Sequence, residues 1–176
     1  HEQNIFKMGG LRKSIPLVYA AFLIGGSALA ALPFVTAGFF SKDEILFAAY
    51  QGGYAGLLLS GLAGAFLTSL YTFRLIFIVF HGDSKLNVHP GQGISHHLPL
   101  LVLMLLSTFV GALITPPLAS VFPPANESHD GKLLIELLSA TIAIAGIALA
   151  AFLFLGKRNL IGQLANSAFG KPLCKL

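Results

Sequence analysis

Lys42, Asp43 and Glu44 stand in a row between two apolar runs: no charged residue occurs from Ser14 to Ser41, and none from Ile45 to Phe73. Translocon scales put each charge near the bilayer centre at roughly 2.5–3.5 kcal/mol. A cluster of this kind therefore either serves a purpose inside the membrane or escapes to water. The chemistry open to it is proton transfer. Burial and the positive end of a helix starting here act against the charge on Lys42, while Asp43 and Glu44 favour it. A lysine held between such opposing influences loads and releases a proton as its surroundings change. Asp43 is then a second group on the path, or a counter-charge that orients the lysine. Glu44 reads differently, because Ser41-Lys42-Asp43-Glu44 has the form of a capping box with Ser41 as N-cap. The competing reading is purely positional. The uncharged stretch from Ser14 to Ser41 is long enough to cross a core of about 30 Å, which would leave the three charges in the far interface.

Other candidates carry less chemistry. Arg74 lies inside a second apolar run, after Tyr71-Thr72-Phe73. It is either a cation snorkelling to the interface, or a fixed charge that biases the pathway or pairs with the first span. His89, His96 and His97 fall in a polar stretch without metal-ligand spacing, and Cys174 is the single cysteine. Neither a zinc site nor an intrachain disulfide is expected. His81 and Tyr71 are positioned to line a water-filled exit or to sit, satisfied, at an interface. Gly25-Gly26, Gly61 and Gly64 are small residues that let helices approach closely.

The elements that must position these residues are membrane helices. With 55% hydrophobic and 10% charged residues and a mean hydropathy of +0.80, the chain lies far from the roughly 25% charged composition of soluble domains. The pattern predicts an all-α transmembrane bundle of four spans. A polar lead-in (1–14) precedes a first span over 15–50, and the others cover 56–81, 98–120 and 137–156. The first span is too long for one straight crossing, and Pro33 and Gly38 fall near its middle, so it is expected to be broken mid-membrane between Leu32 and Gly38. The remainder, 157–176, is weakly amphipathic and reads as a helix lying along the membrane surface.

Positive charge sets the expected orientation. With four crossings, Lys7, Arg12, Lys13, Lys85, Lys157, Arg158, Lys171 and Lys175 share one side, and only Lys132 lies on the other. Both ends are thus expected in the cytoplasm or a mitochondrial matrix. The basic residues are scattered over loops rather than gathered on a face, which argues against a nucleic-acid partner. The chain opens on His1, in a polar segment without a signal-peptide pattern, and reads as an internal piece of a longer polypeptide.

Three segments carry a family resemblance: His1-Glu-Gln-Asn-Ile-Phe-Lys-Met-Gly-Gly-Leu, Ala37-Gly-Phe-Phe-Ser-Lys-Asp-Glu-Ile-Leu and Ser69-Leu-Tyr-Thr-Phe-Arg. Together they resemble the antiporter-like membrane subunits of respiratory complex I, the NADH:quinone oxidoreductase subunit L and mitochondrial subunit 5 family. The resemblance implies a proton-translocating subunit in a bacterial inner membrane, with the lipid bilayer and other membrane-arm subunits as partners. It implies that 157–176 begins a long lateral helix. It also implies that Lys42 is the family's lysine on a broken helix and Asp43 its adjacent carboxylate. NADH, FMN, iron–sulfur clusters and quinone are expected in other subunits, and no cofactor or metal in this one. A related multisubunit cation/proton antiporter or membrane-bound hydrogenase shares the broken helix and lysine, and a non-catalytic membrane scaffold would need neither.

Overall fold

A computed structural model describes residues 4–5, 7–33, 36–83, 94–108, 110 and 131–155. Among them are five helices: α1 Pro16–Ala30, α2 Ala37–Gln51, α3 Ala55–Phe80, α4 Ile94–Ser107 and α5 Lys132–Leu155. The remainder of the 98–120 span, and the whole of 157–176, fall outside the described residues. Two helices, α3 and α5, are long and apolar enough to cross a membrane, whereas α1 and the stretch His97–Ser107 are shorter apolar helices. Their outward faces carry large apolar side chains in the open, among them Leu133 at 70%, Leu59 at 67% and Phe152 at 66% exposure. Apolar surface on this scale is stable only against lipid or other protein.

Local chemistry sets the ends of the first two helices. Pro16 opens α1, where its missing N–H costs nothing. At the other end Ala31 adopts the left-handed conformation, φ 57° and ψ 54°. The N–H of Ala31 donates to the Ala28 carbonyl at 3.1 Å and that of Leu32 to Ser27 at 3.0 Å. This closes α1 with a Schellman-type turn. Leu32 is then held away from helical backbone by Pro33. The next helix begins after Thr36, which is extended at φ −123° and ψ 145°. Thr36 lies at the one isolated extended pairing among the described residues, antiparallel to Thr108 just past α4. Backbone groups freed from a helix inside an apolar bundle must find partners elsewhere, and at Thr36 the end of α4 lies alongside.

The helices pack along one axis. The N–H of Arg12 donates to the Phe80 carbonyl at 3.3 Å, and that of Gly10 to His81 at 3.2 Å, which pins the lead-in to the end of α3. Gly26 of α1 faces Thr72 and Ile76, and Leu46 of α2 faces Gly61, so α1 and α2 follow one another in the same direction along an antiparallel α3. Ser69 lies on Gly146 and Arg74 over Phe154, which sets α3 and α5 parallel. One apolar cluster gathers Leu11, Ala30, Phe73, Ile76, Phe80 and Ala150, and a second joins Leu46, Leu62 and Ile135. The two clusters lock the upper and lower halves of the bundle.

Two local expectations are corrected. Ser41 is not an N-cap: it lies inside α2 and its hydroxyl donates to the Gly38 carbonyl at 3.3 Å. Starting the helix at Ala37 rather than after Ser41 brings five more residues into it, and Gly38 permits it because any Cβ there would press on the Ala28 carbonyl. His96 and His97 belong to α4 rather than to the preceding loop. Pro99 comes early enough in α4 that its ring obstructs only the first turn.

Candidate proton-transfer site

The second turn of α2 presents Lys42, Asp43 and Glu44 in three directions, since successive residues of a helix lie about 100° apart. Asp43 turns inward and is only 3% exposed, Lys42 is half-buried, and Glu44 points out. Across from them runs α5, antiparallel to α2. The register is fixed by Asp43 against Ser139, Leu46 against Ile135, and Tyr50 against Gly131.

Asp43 is the best-defined polar group of the interior. The Ser139 hydroxyl donates to its Oδ1 at 2.5 Å, a short hydrogen bond. Its Oδ2 is buried and accepts no hydrogen bond among the described residues. A buried carboxylate served by a single donor sits far from the best-satisfied arrangement for a fixed anion, and is suited to exchanging a proton. Lys42, Glu136 and Lys132 all act on it electrostatically. Glu44 meets Lys132 instead, Oε1 to Nζ at 3.9 Å with both side chains substantially exposed. At that distance and exposure the pair contributes little to stability.

The sequence candidates are therefore brought together only in part. Lys42 and Asp43 share one turn. Arg74 is elsewhere, several turns further along the bundle axis. Its guanidinium lies 5.4 Å from the Phe154 ring centroid, a cation–π contact between α3 and α5. His81 closes α3 with the rings of Tyr19 and Phe77 edge-on at 5.6 and 5.5 Å. Tyr71 and Thr72 border an apolar cleft of about 480 Å³ between α1, α3 and α4, whose walls are otherwise mostly aliphatic and aromatic. Among the described residues no group of three or more histidine, cysteine or acidic side chains is placed to hold a metal.

Ser139 and Glu136 escaped the sequence reading. The available signal was a buried-face serine in the most apolar helix, with a glutamate one turn before it. Ser139 breaks no hydropathy pattern, and Glu136 read only as the charge that bounds the apolar run, so neither pointed to Asp43 without the register of α5 on α2.

Comparison with known proteins supplies the family. A family model described as NADH:quinone oxidoreductase/Mrp antiporter, TM, matches residues 1–68. NADH-quinone oxidoreductase subunit L of Escherichia coli (strain K12) is 62% identical over 174 residues, covering 98% of this chain and 28% of that protein. The subunit L of Pseudomonas aeruginosa is 63% identical over 173 residues, covering 97% of this chain and 28% of that protein. That of Buchnera aphidicola subsp. Acyrthosiphon pisum is 42% identical over 173 residues, again covering 98% and 28%. The chain thus spans 28% of the length of these relatives. It is membrane-embedded and, over nearly all of its own length, belongs to the NADH-quinone oxidoreductase subunit L family.

Proposed function

We propose that the chain contributes a proton-transfer segment to an antiporter-like subunit of the NADH:quinone oxidoreductase membrane arm, coupling electron transfer to proton pumping. In this reading α1 and α2 form one crossing broken at mid-membrane. Together with α3, α4 and α5 that makes four crossings of a bacterial inner membrane, and 157–176 starts the lateral helix. Lys42 gains and loses the proton, and Asp43 is the next group on the path. The observation that carries the reading is Asp43, buried beside a half-buried lysine, with one carboxylate oxygen bound by Ser139 and the other unserved. NADH, FMN, iron–sulfur and quinone chemistry belongs to other subunits of the assembly, which are its protein partners. Arg74 is read as the fixed cation that ties α3 to α5 through Phe154.

The test is Lys42→Arg in the full-length subunit within the assembled complex. Arginine keeps the charge but does not deprotonate in proteins. A carrier fails on that change, since loading and release both require a neutral form, and proton pumping and NADH oxidation are expected to fall together. Lys42→Met is expected to fall at least as far. Unchanged pumping and oxidation in an assembled Lys42→Arg complex would leave Lys42 as an anchor and refute the carrier role.

A further inference from the structure

Ser139 uses its hydroxyl differently from its neighbours. Ser41, Ser60, Thr68, Ser69 and Thr141 each donate to a carbonyl three or four residues earlier in their own helix. That back-bonding is how an apolar helix ordinarily carries a hydroxyl. Ser139 donates instead to a side chain of another helix, the buried Asp43, and is itself only 1% exposed. It also belongs to a stripe. Lys132, Glu136 and Ser139 recur at helical spacing on one face of α5, and both charged members act on Asp43. The stripe climbs from a half-buried Glu136 to Lys132 at the start of α5, where Glu44 meets it. By helical rise, Asp43 lies about 10 Å from that end of the bundle.

We infer that α5 supplies the outlet for the proton held at Asp43, with Ser139 as the relay and Glu136 as the next acceptor toward the Lys132 end. This rests on the reading of Asp43 as a proton-path group. In the step, the carboxylic O–H of Asp43 breaks as the Ser139 oxygen takes that proton. The hydroxyl proton of Ser139 leaves in the same movement, and a new O–H forms on the Glu136 carboxylate. Asp43 becomes a carboxylate that accepts from Ser139, Glu136 becomes neutral, and Ser139 ends as a hydroxyl. Ser139 and Glu136 are one turn apart on the same face, with Cβ atoms about 5–6 Å apart, a gap that one water molecule closes by taking the Ser139 proton and giving one of its own to the Glu136 carboxylate. Lys132 and Glu44 flank the mouth, where Glu136 gives the proton to solvent.

The experiment uses the assembled complex in vesicles, measuring protons moved per NADH oxidised, with assembly checked by native gel. Glu136→Gln and Ser139→Ala are expected to lower that ratio severalfold, with a larger solvent deuterium effect on pumping. Glu136→Asp and Ser139→Thr, which keep the carboxylate and the hydroxyl, are expected to recover most of it. A residue that only packs α5 on α2 would not give this split between removal and conservative replacement. Asp43→Asn in parallel separates the two claims. A lowered ratio in Asp43→Asn with wild-type ratios in both Glu136→Gln and Ser139→Ala overturns the α5 outlet and leaves the reading of Asp43 standing. Wild-type ratios in all three overturn both. If Ser139→Ala fails to assemble, the half-buried Glu136→Gln and its Asp counterpart decide.

Discussion

Glycine governs how closely the side chains of this bundle can meet. At Gly146 a Cβ would run into the Ser69 hydroxyl and would lie 2.8 Å from the Phe66 carbonyl oxygen, so α3 and α5 touch there through backbone. Forcing extra atoms into such a contact costs about 1–3 kcal/mol. Gly146→Ala is therefore expected to destabilise the full-length subunit by that amount, as read from denaturant unfolding in detergent. It is also expected to loosen the Arg74–Phe154 contact two turns further on. Gly64 offers a control on the neighbouring helix, because a Cβ there meets nothing within 4 Å. The same scale explains what the sequence disclosed about the site. Lys42 and Asp43 stood out because charges are rare in apolar runs. Ser139 did not, since a hydroxyl in an apolar helix is ordinarily absorbed by its own backbone. Its partner lies 96 residues away in the chain, and no local pattern reports a contact of that range.

The helix ends show how far local chemistry reaches. Pro33 signalled the interruption between α1 and α2, and Gly52-Gly53 signalled the end of α2. There Gly53 takes φ +71° and the N–H of Tyr54 donates to Ala49 at 3.0 Å. The same turn at the end of α1 is made by an alanine. A non-glycine residue in the left-handed region bears a strain of about 1–2 kcal/mol, of which glycine's greater unfolded-state freedom would return a part. Ala31→Gly is accordingly expected to stabilise the subunit by about 0.5–1 kcal/mol net, measured as a shift in the same unfolding curve. Where α2 begins was not legible, because Ser41 and Glu44 imitate a start signal. The true start depends on Gly38 meeting Ala28, a contact between helices that composition does not encode.

At the scale of the whole molecule, the parallel pair α3 and α5 and the antiparallel α1–α2 series place the Gly52–Gly53 turn and the start of α5 at one end. The lead-in and the end of α3 lie at the other. Lys132 is the only basic residue in the first group, whereas Lys7, Arg12 and Lys13 belong to the second. The excess of lysine and arginine on cytoplasmic loops then gives an expected outcome for single cysteines placed in a subunit freed of all its native cysteines. A cysteine replacing Gly53 should react with a membrane-impermeant maleimide from the periplasmic face, and one replacing Asp83 only after the membrane is opened. The reverse pattern would invert the orientation and, with it, the direction in which an α5 outlet delivers protons.

The pairing of Thr36 with Thr108 bears on the order in which the chain settles into the bilayer. Thr36 is synthesised and inserted well before α4 exists to meet it. That pairing is a late contact, made only once the helix before Thr108 exists, whereas the turn that ends α1 uses α1's own carbonyls and needs nothing that comes later in the chain.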